Sequence, residues 1–214
     1  MRITRGVFAL LAILAVVLLG GQSQPVLAQA ATSAPQIKVF VPWLPDGTLN
    51  PSLTVSGQVT VPECQVGSIL STRPDAWRCG TADPCFAPFP FVPPGQENML
   101  VCAGSGPWSG QVVMLTVQTP LASTGDCRKS GNCRQPIDLT QTPWAIELGN
   151  GVRCVKGGGT AAIVAGLGLP YGCAQTDGTP AGLAGPDPTD PNSVLYLAPG
   201  DDAIVEVPIS VAWH

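Results

Sequence analysis

The sequence predicts an all-β fold: a compact, disulfide-stabilised antiparallel sheet domain of two lobes with long Pro/Gly-rich loops. Three observations carry that expectation. The 214 residues include 25 glycines and 23 prolines, a density that denies long helices, because proline removes a backbone donor and glycine weakens element interiors. The apolar residues fall in short runs rich in β-branched side chains, the composition of strands. Eight cysteines follow an apolar leader, an even count of the kind that builds a disulfide framework.

The leader comes first in the chain. Arg2 and Arg5 precede an apolar run from Val7 to Leu19, and Ala28–Gln29–Ala30 matches the small-x-small cleavage rule. The run is shorter than the roughly 20 residues a spanning helix needs. Residues 1–30 are therefore expected to be a signal peptide, 31–35 a disordered leader and 36–214 one domain, with no membrane association after cleavage. An uncleaved anchor is the competing reading. Without Arg2 and Arg5 the formal charge is −6, and the last 58 residues hold six carboxylates and no Lys or Arg. That balance argues against nucleic acid or anionic lipid as partners, since counterion release and attraction would both be missing.

Strands are expected in "IKVFVPW" from Ile37, "LTVSGQVTV" from Leu53, "NMLVCA" from Asn98 and "QVVMLTVQ" from Gln111. In "PWAIELGNGVRC", Trp144, Ile146 and Leu148 alternate with Ala145 and Glu147, and Gly149–Gly151 supplies a hairpin turn. Near the C-terminus Val205, Val207, Ile209, Val211 and Trp213 share one face by strict alternation, with Pro208 pointing to an edge or a break. Residues 176–193 read as a long loop. The segment 122–136 reads as another, joining lobes 36–121 and 137–214.

Zinc does not suit these cysteines, because there is no C-x-x-C pair and the one histidine is His214. Four bridges allow 105 connectivities. Near-neighbour pairing is preferred, Cys64–Cys79, Cys85–Cys102, Cys127–Cys133 and Cys154–Cys173, since each pair flanks a turn-rich loop.

The stretch "CQVGSILSTRPDAWRC" (64–79), followed by "DPCF" (83–86) and "LVC" (100–102), resembles a family of exported, largely actinobacterial proteins of uncharacterised function. "LTVQTPL", "PWAIELGNGVRC", "YGC" (171–173) and "VAWH" continue the likeness, which covers most of 57–214. The spacer between Cys79 and Cys85 is shorter than that family's pattern, and Cys127 and Cys133 stand outside it. The resemblance implies an exported, disulfide-bonded domain and no particular activity.

Catalytic chemistry finds little support. A Ser–His–acid triad would need His214, at the chain end, as its base. "CAGSGPWSG" lacks the G-x-S-x-G order, "KGGGT" (156–160) lacks the phosphate-loop order, and the acidic loop at 176–193 lacks a calcium-loop pattern. No cofactor or metal is expected. Binding candidates are Arg73, Asp75 and Arg78 in the first cysteine loop, with Trp43 and Trp108 beside prolines as exposed aromatic contacts. The competing reading of that loop is structural: Arg–Asp pairs satisfying one another, and Trp77 packed on a bridge. Trp144 and Trp213 are expected in the core. The leading expectation is an exported, non-enzymatic binding or interaction domain near the cell envelope, with a glycan or protein partner. A carboxylate-based glycan-processing hydrolase is the first alternative. A structural surface protein or inhibitor presenting the 127–133 loop is the second.

Overall fold

The structure, a computed structural model, describes residues 33–64, 67–88, 92–119, 121 and 139–214. The expected signal peptide, Ala31 and Thr32 of the leader, the 122–136 connection and the Cys127–Cys133 pairing lie outside the described residues. Among those described, every regular element is a strand: β1 Gln36–Lys38, β2 Thr54–Val61, β3 Ala76–Cys79, β4 Ala82–Phe86, β5 Met99–Cys102, β6 Gln111–Val117, β7 Ala145–Leu148, β8 Arg153–Lys156, β9 Ala162–Val164, β10 Leu167–Leu169, β11 Tyr171–Ala174, β12 Pro180–Pro186, β13 Ser193–Leu197 and β14 Val205–Trp213.

Strands β14, β13, β12, β11, β8 and β7 pair in that order, and β14 also pairs with β7, so this sheet closes into a barrel. β1 joins it in parallel with the end of β14, Ile37 opposite Ala212. A second sheet runs β2–β6–β5–β4–β3, antiparallel except for the parallel pair β2–β6. β9 and β10 form a hairpin of their own.

Period-two alternation distributes the side chains of the five-stranded sheet between two cores. Leu100, Cys102, Leu115 and Val117 face one way and pack with Trp77, Cys79 and Cys85. Val101, Val112, Phe86 and Ala76 face the other way and meet Phe40, Trp43, Trp144 and Ala145. The barrel has its own interior of Ile146, Leu148, Cys154, Tyr171, Ala184, Val194, Tyr196, Ile209 and Ala212. Disulfides join Cys64–Cys79, Cys85–Cys102 and Cys154–Cys173. Cys85 lies opposite Cys102 in the β4–β5 ladder and Cys154 opposite Cys173 in β8–β11, so two bridges link directly paired residues. Such bonds fit an oxidising, extracytoplasmic compartment. No helix among the described residues is long and apolar enough to cross a membrane.

Two segments depart from the expected pattern. Residues 180–186, read as loop, are strand β12 in the barrel wall. Its small residues are a condition of close packing. A Cβ on Gly182 would stand 2.0 Å from the Leu197 carbonyl oxygen, and one on Gly185 2.3 Å from that of Gly168. The alternation of β14 also breaks: the β14–β7 register shifts between Ile209 and Val211, an irregularity that takes Ser210 out of the ladder. Ile209 and then Ala212 therefore enter the barrel core, while Trp213 packs against the cluster between the sheets. A bulge of this kind moves each following side chain to the opposite face. The β7–β8 hairpin follows its sequence pattern, with Leu148 N–H donating to the Val152 carbonyl at 2.8 Å and Gly151 at φ 86°.

The cluster between the sheets is aromatic. Phe40 lies edge-on to Trp144 with centroids 6.0 Å apart, and 5.4 Å from Phe86. Above Phe86, at 4.4 Å, stands the Arg73 guanidinium. Arg73 reaches Asp75 through Nε–Oδ1 at 3.0 Å and Nη2–Oδ2 at 2.6 Å, with both side chains only 8% exposed. Its Nη1 donates to the Phe40 carbonyl. Breaking a pair this buried leaves an uncompensated charge.

Arg73→Ala should therefore lower unfolding free energy by about 3 kcal/mol, whereas Arg78→Ala should change it by under about 0.5 kcal/mol. Urea midpoints of the two variants measure the contrast, and equal losses would refute the buried-pair account. Replacing Cys154 and Cys173 together by Ala should cost about 3 kcal/mol, because the closed loop no longer restricts the unfolded chain. An unchanged melting curve for that variant would show that the bridge adds nothing to packing.

Candidate functional site

The structure redistributes the residues expected to bind a ligand. Arg73 and Asp75 are consumed by each other, by Phe40 and by the Phe86 ring, and Asp75 is buried. Trp43 is 5% exposed, in the cluster between the sheets, and its indole N–H donates to the Phe86 carbonyl at 2.8 Å. It is a core residue and not an exposed contact. Arg78 sits half-buried on β3, away from every concavity described below. Trp77 is 2% exposed and packs with Cys64, Cys79 and Cys85. Asp83 organises the same cysteine loop, accepting hydrogen bonds from the Ser68 hydroxyl and, at 3.1 Å, the Ile69 amide.

Trp108, half-buried, lines a groove. It belongs to the loop between β5 and β6, where Gly106 N–H donates to the Ala103 carbonyl at 3.1 Å. Gly106 has φ 100°, and a Cβ there would come within 2.3 Å of the indole, so only glycine lets the ring lie against this turn. The Ser109 hydroxyl accepts the Gln111 amide at 3.1 Å and closes the loop.

Opposite this loop the barrel presents the outer face of β8 and β11. Tyr171 and Cys173 point inward and are buried, which leaves Gly172 and Ala174 outward. A Cβ on Gly172 would meet nothing within 4 Å, so the wall there is bare backbone beneath open space. The tight turn after β11 forms the far rim: Gln175 N–H donates to the Thr179 carbonyl at 2.8 Å, and Gly178 adopts φ 88°. Between Trp108 and this turn runs a groove of about 500 Å³ with Ser105, Arg153, Gln175 and Asp177 on its walls.

Among the described residues, one cation and one anion line the groove. The Arg153 guanidinium stands 5.5 Å from the Trp108 ring centroid and donates from Nε to Glu147 Oε2 at 3.3 Å. Glu147 Oε1 in turn accepts the Trp213 indole N–H at 3.1 Å, and Lys38 Nζ lies 5.0 Å over the Trp213 ring. Ring and charge thus alternate from the groove across β8, β7, β14 and β1, which holds Arg153 in place. Hydrogen bonds from Thr179, its amide first and then its hydroxyl, hold the Asp177 carboxyl below its ordinary value of 3.8, so it is ionised at neutral pH.

Among the described residues Asp177 is the one carboxylate lining this groove, where glycosidase chemistry calls for two. His214 lies outside it. Among the described residues no group of three His, Cys, Asp or Glu side chains could hold a metal ion. What the arrangement can do is bind: an indole wall, a flat floor and several hydrogen-bonding groups. Sequence reasoning found Trp108 but not Gly172, Gln175 or Asp177. Proximity between residues 108 and 177 has no local signature, though the small–large alternation of "YGCA" marks one face of β11 as bare.

Asp46 and Asp187 share the depressed state of Asp177, held mainly by the hydroxyls of Thr48 and Thr189 and then by their amides. Groups whose folded pKa is depressed add stability above the unfolded value near 3.9 and lose it as pH falls through the folded value. Stability should thus decline below about pH 4, and the triple Asp46→Asn, Asp177→Asn, Asp187→Asn variant should decline less steeply. Urea midpoints taken from pH 7 down to about 2 test this, and parallel curves would contradict it. No protein-family model matches the chain, no curated protein matches it, and no solved structure matches it.

Proposed function

We infer that this chain is an exported bacterial protein whose domain acts at or near the cell envelope as a non-catalytic binding module, taking a saccharide in the Trp108 groove. The groove itself carries the reading: an indole beside the bare backbone of Gly172, with Gln175, Asp177, Ser105 and Arg153 around it. A sugar ring offers one apolar face and a rim of hydroxyls. The indole suits the first, and the amide, carboxylate and serine suit the second. The leader-like N-terminus, the disulfides and the motif resemblance at 64–102 support export and membership of the exported family.

The deciding experiment is a thermal-shift screen of the oxidised protein lacking residues 1–30 against peptidoglycan fragments and neutral and acidic envelope polysaccharides. A ligand at 100 times its dissociation constant adds about 2.7 kcal/mol to the folded state. Trp108→Ala should weaken the responding saccharide by about tenfold, ~1.4 kcal/mol, with the fold intact. A response unaffected by that substitution would remove the groove from the function, and silence across the panel would remove the saccharide.

A further inference from the structure

A second concavity opens on the other face of the same barrel wall. Tyr171, next to the outward Gly172, points inward, and with Ile146, Val194, Ile209 and Ala212 it forms the floor of a cavity of about 500 Å³ at one mouth of the barrel. These floor residues are between 0% and 7% exposed, so the cavity ends on the hydrophobic core itself. The Tyr171 hydroxyl donates to the Pro143 carbonyl at 2.6 Å, and burial raises its pKa above the usual tyrosine value. At the rim stand Ile37 and Leu139, 45% and 49% exposed, two of seven exposed large apolar side chains among the described residues. Apolar side chains of that size converge on a barrel mouth at a cost in hydration unless something covers them.

The rim carries Thr142, Asp187 and Asn192, and two buried polar residues, Ser193 and His214, complete the lining. Among the described residues no Lys or Arg lines the cavity, and its titratable side chains are Tyr171, Asp187 and His214. Asp187 is held ionised by the Thr189 hydroxyl and amide, both at 2.7 Å. An anionic headgroup entering here would meet the Asp187 carboxylate and, among the described residues, no lysine or arginine. An alkyl chain would find the barrel core, and a hydroxyl or ester oxygen would find Thr142 and Asn192. The volume falls in the range of small-molecule sites, which favour the mouths of β-barrels.

We propose that the barrel mouth is a binding site for an uncharged, single-chain amphiphile, its alkyl portion on Ile146, Tyr171, Val194 and Ile209 and its polar end at the Thr142–Asn192 rim. This site is independent of the saccharide groove, because inward and outward side chains of β11 serve the two separately.

The probe is N-phenyl-1-naphthylamine, uncharged and fluorescent in apolar surroundings, titrated into the oxidised protein at pH 7.4. One saturable site is expected. 1-Decanol should displace the probe at least tenfold more effectively than decanoate, and Asp187→Asn should narrow that gap. Ile37→Ser and Leu139→Ser change exposed rim positions and should each weaken the probe about fivefold, with melting curves confirming an intact fold. Ile209→Trp, which fills the floor, should abolish binding. Failure to saturate, decanoate equal to decanol in the unaltered protein, or rim variants binding as well as the parent would each overturn the proposal.

Discussion

The two sheets are held together by an aromatic cluster that one buried cation organises. Arg73 covers the Phe86 ring, holds the Phe40 carbonyl and is neutralised by Asp75, so three segments distant in sequence meet at one guanidinium. Lysine would not serve, since only a planar fork can satisfy the carboxylate bidentately while lying on a ring. Trp43 adds its indole bond to the Phe86 carbonyl, and Trp144 brings in the barrel. Cys85, one residue before Phe86, faces the opposite core and is bridged to Cys102, so the strand that carries Phe86 is fixed covalently from behind.

Local chemistry was legible in the sequence. The β-branched runs became β2, β5 and β6, and Leu148–Val152 closed as a hairpin on its glycines. The pairing of Arg73 with Asp75 could be read because the partners are two residues apart. What depended on distant neighbours was hidden. Trp43 beside Pro42 has the local context of a loop, and only Phe86, 43 residues away, makes it core. Residues 180–186 have the composition of a turn, yet they lie in the barrel wall because neighbouring backbones crowd Gly182 and Gly185. In β14 one irregularity at Ser210 exchanged the faces, which strict alternation cannot announce.

The two concavities divide along the same lines. Trp108, half-buried, borders a groove whose opposite wall is stripped of side chains at Gly172. The barrel interior, filled by Leu148, Cys154 and Tyr196 along much of its length, runs out of side chains at one mouth. One wall therefore separates two environments of different polarity, and the Cys154–Cys173 bridge, which spans β8 and β11, stiffens it between them.

The parallel pairing of β1 with β14 has a temporal meaning. Gln36–Lys38 finds its partner only in Val211–Trp213, and Phe40 N–H bonds to the carbonyl of His214. Barrel closure uses the same strand, through β14–β7. A chain synthesised N-terminus first thus cannot complete this barrel or seat Phe40 until residues 205–214 have emerged. Contacts so distant in sequence belong to topologies that fold in roughly milliseconds to seconds. The two sheets thereby differ in when they can form: all five strands of β2–β6 precede residue 118, whereas the barrel waits for β14.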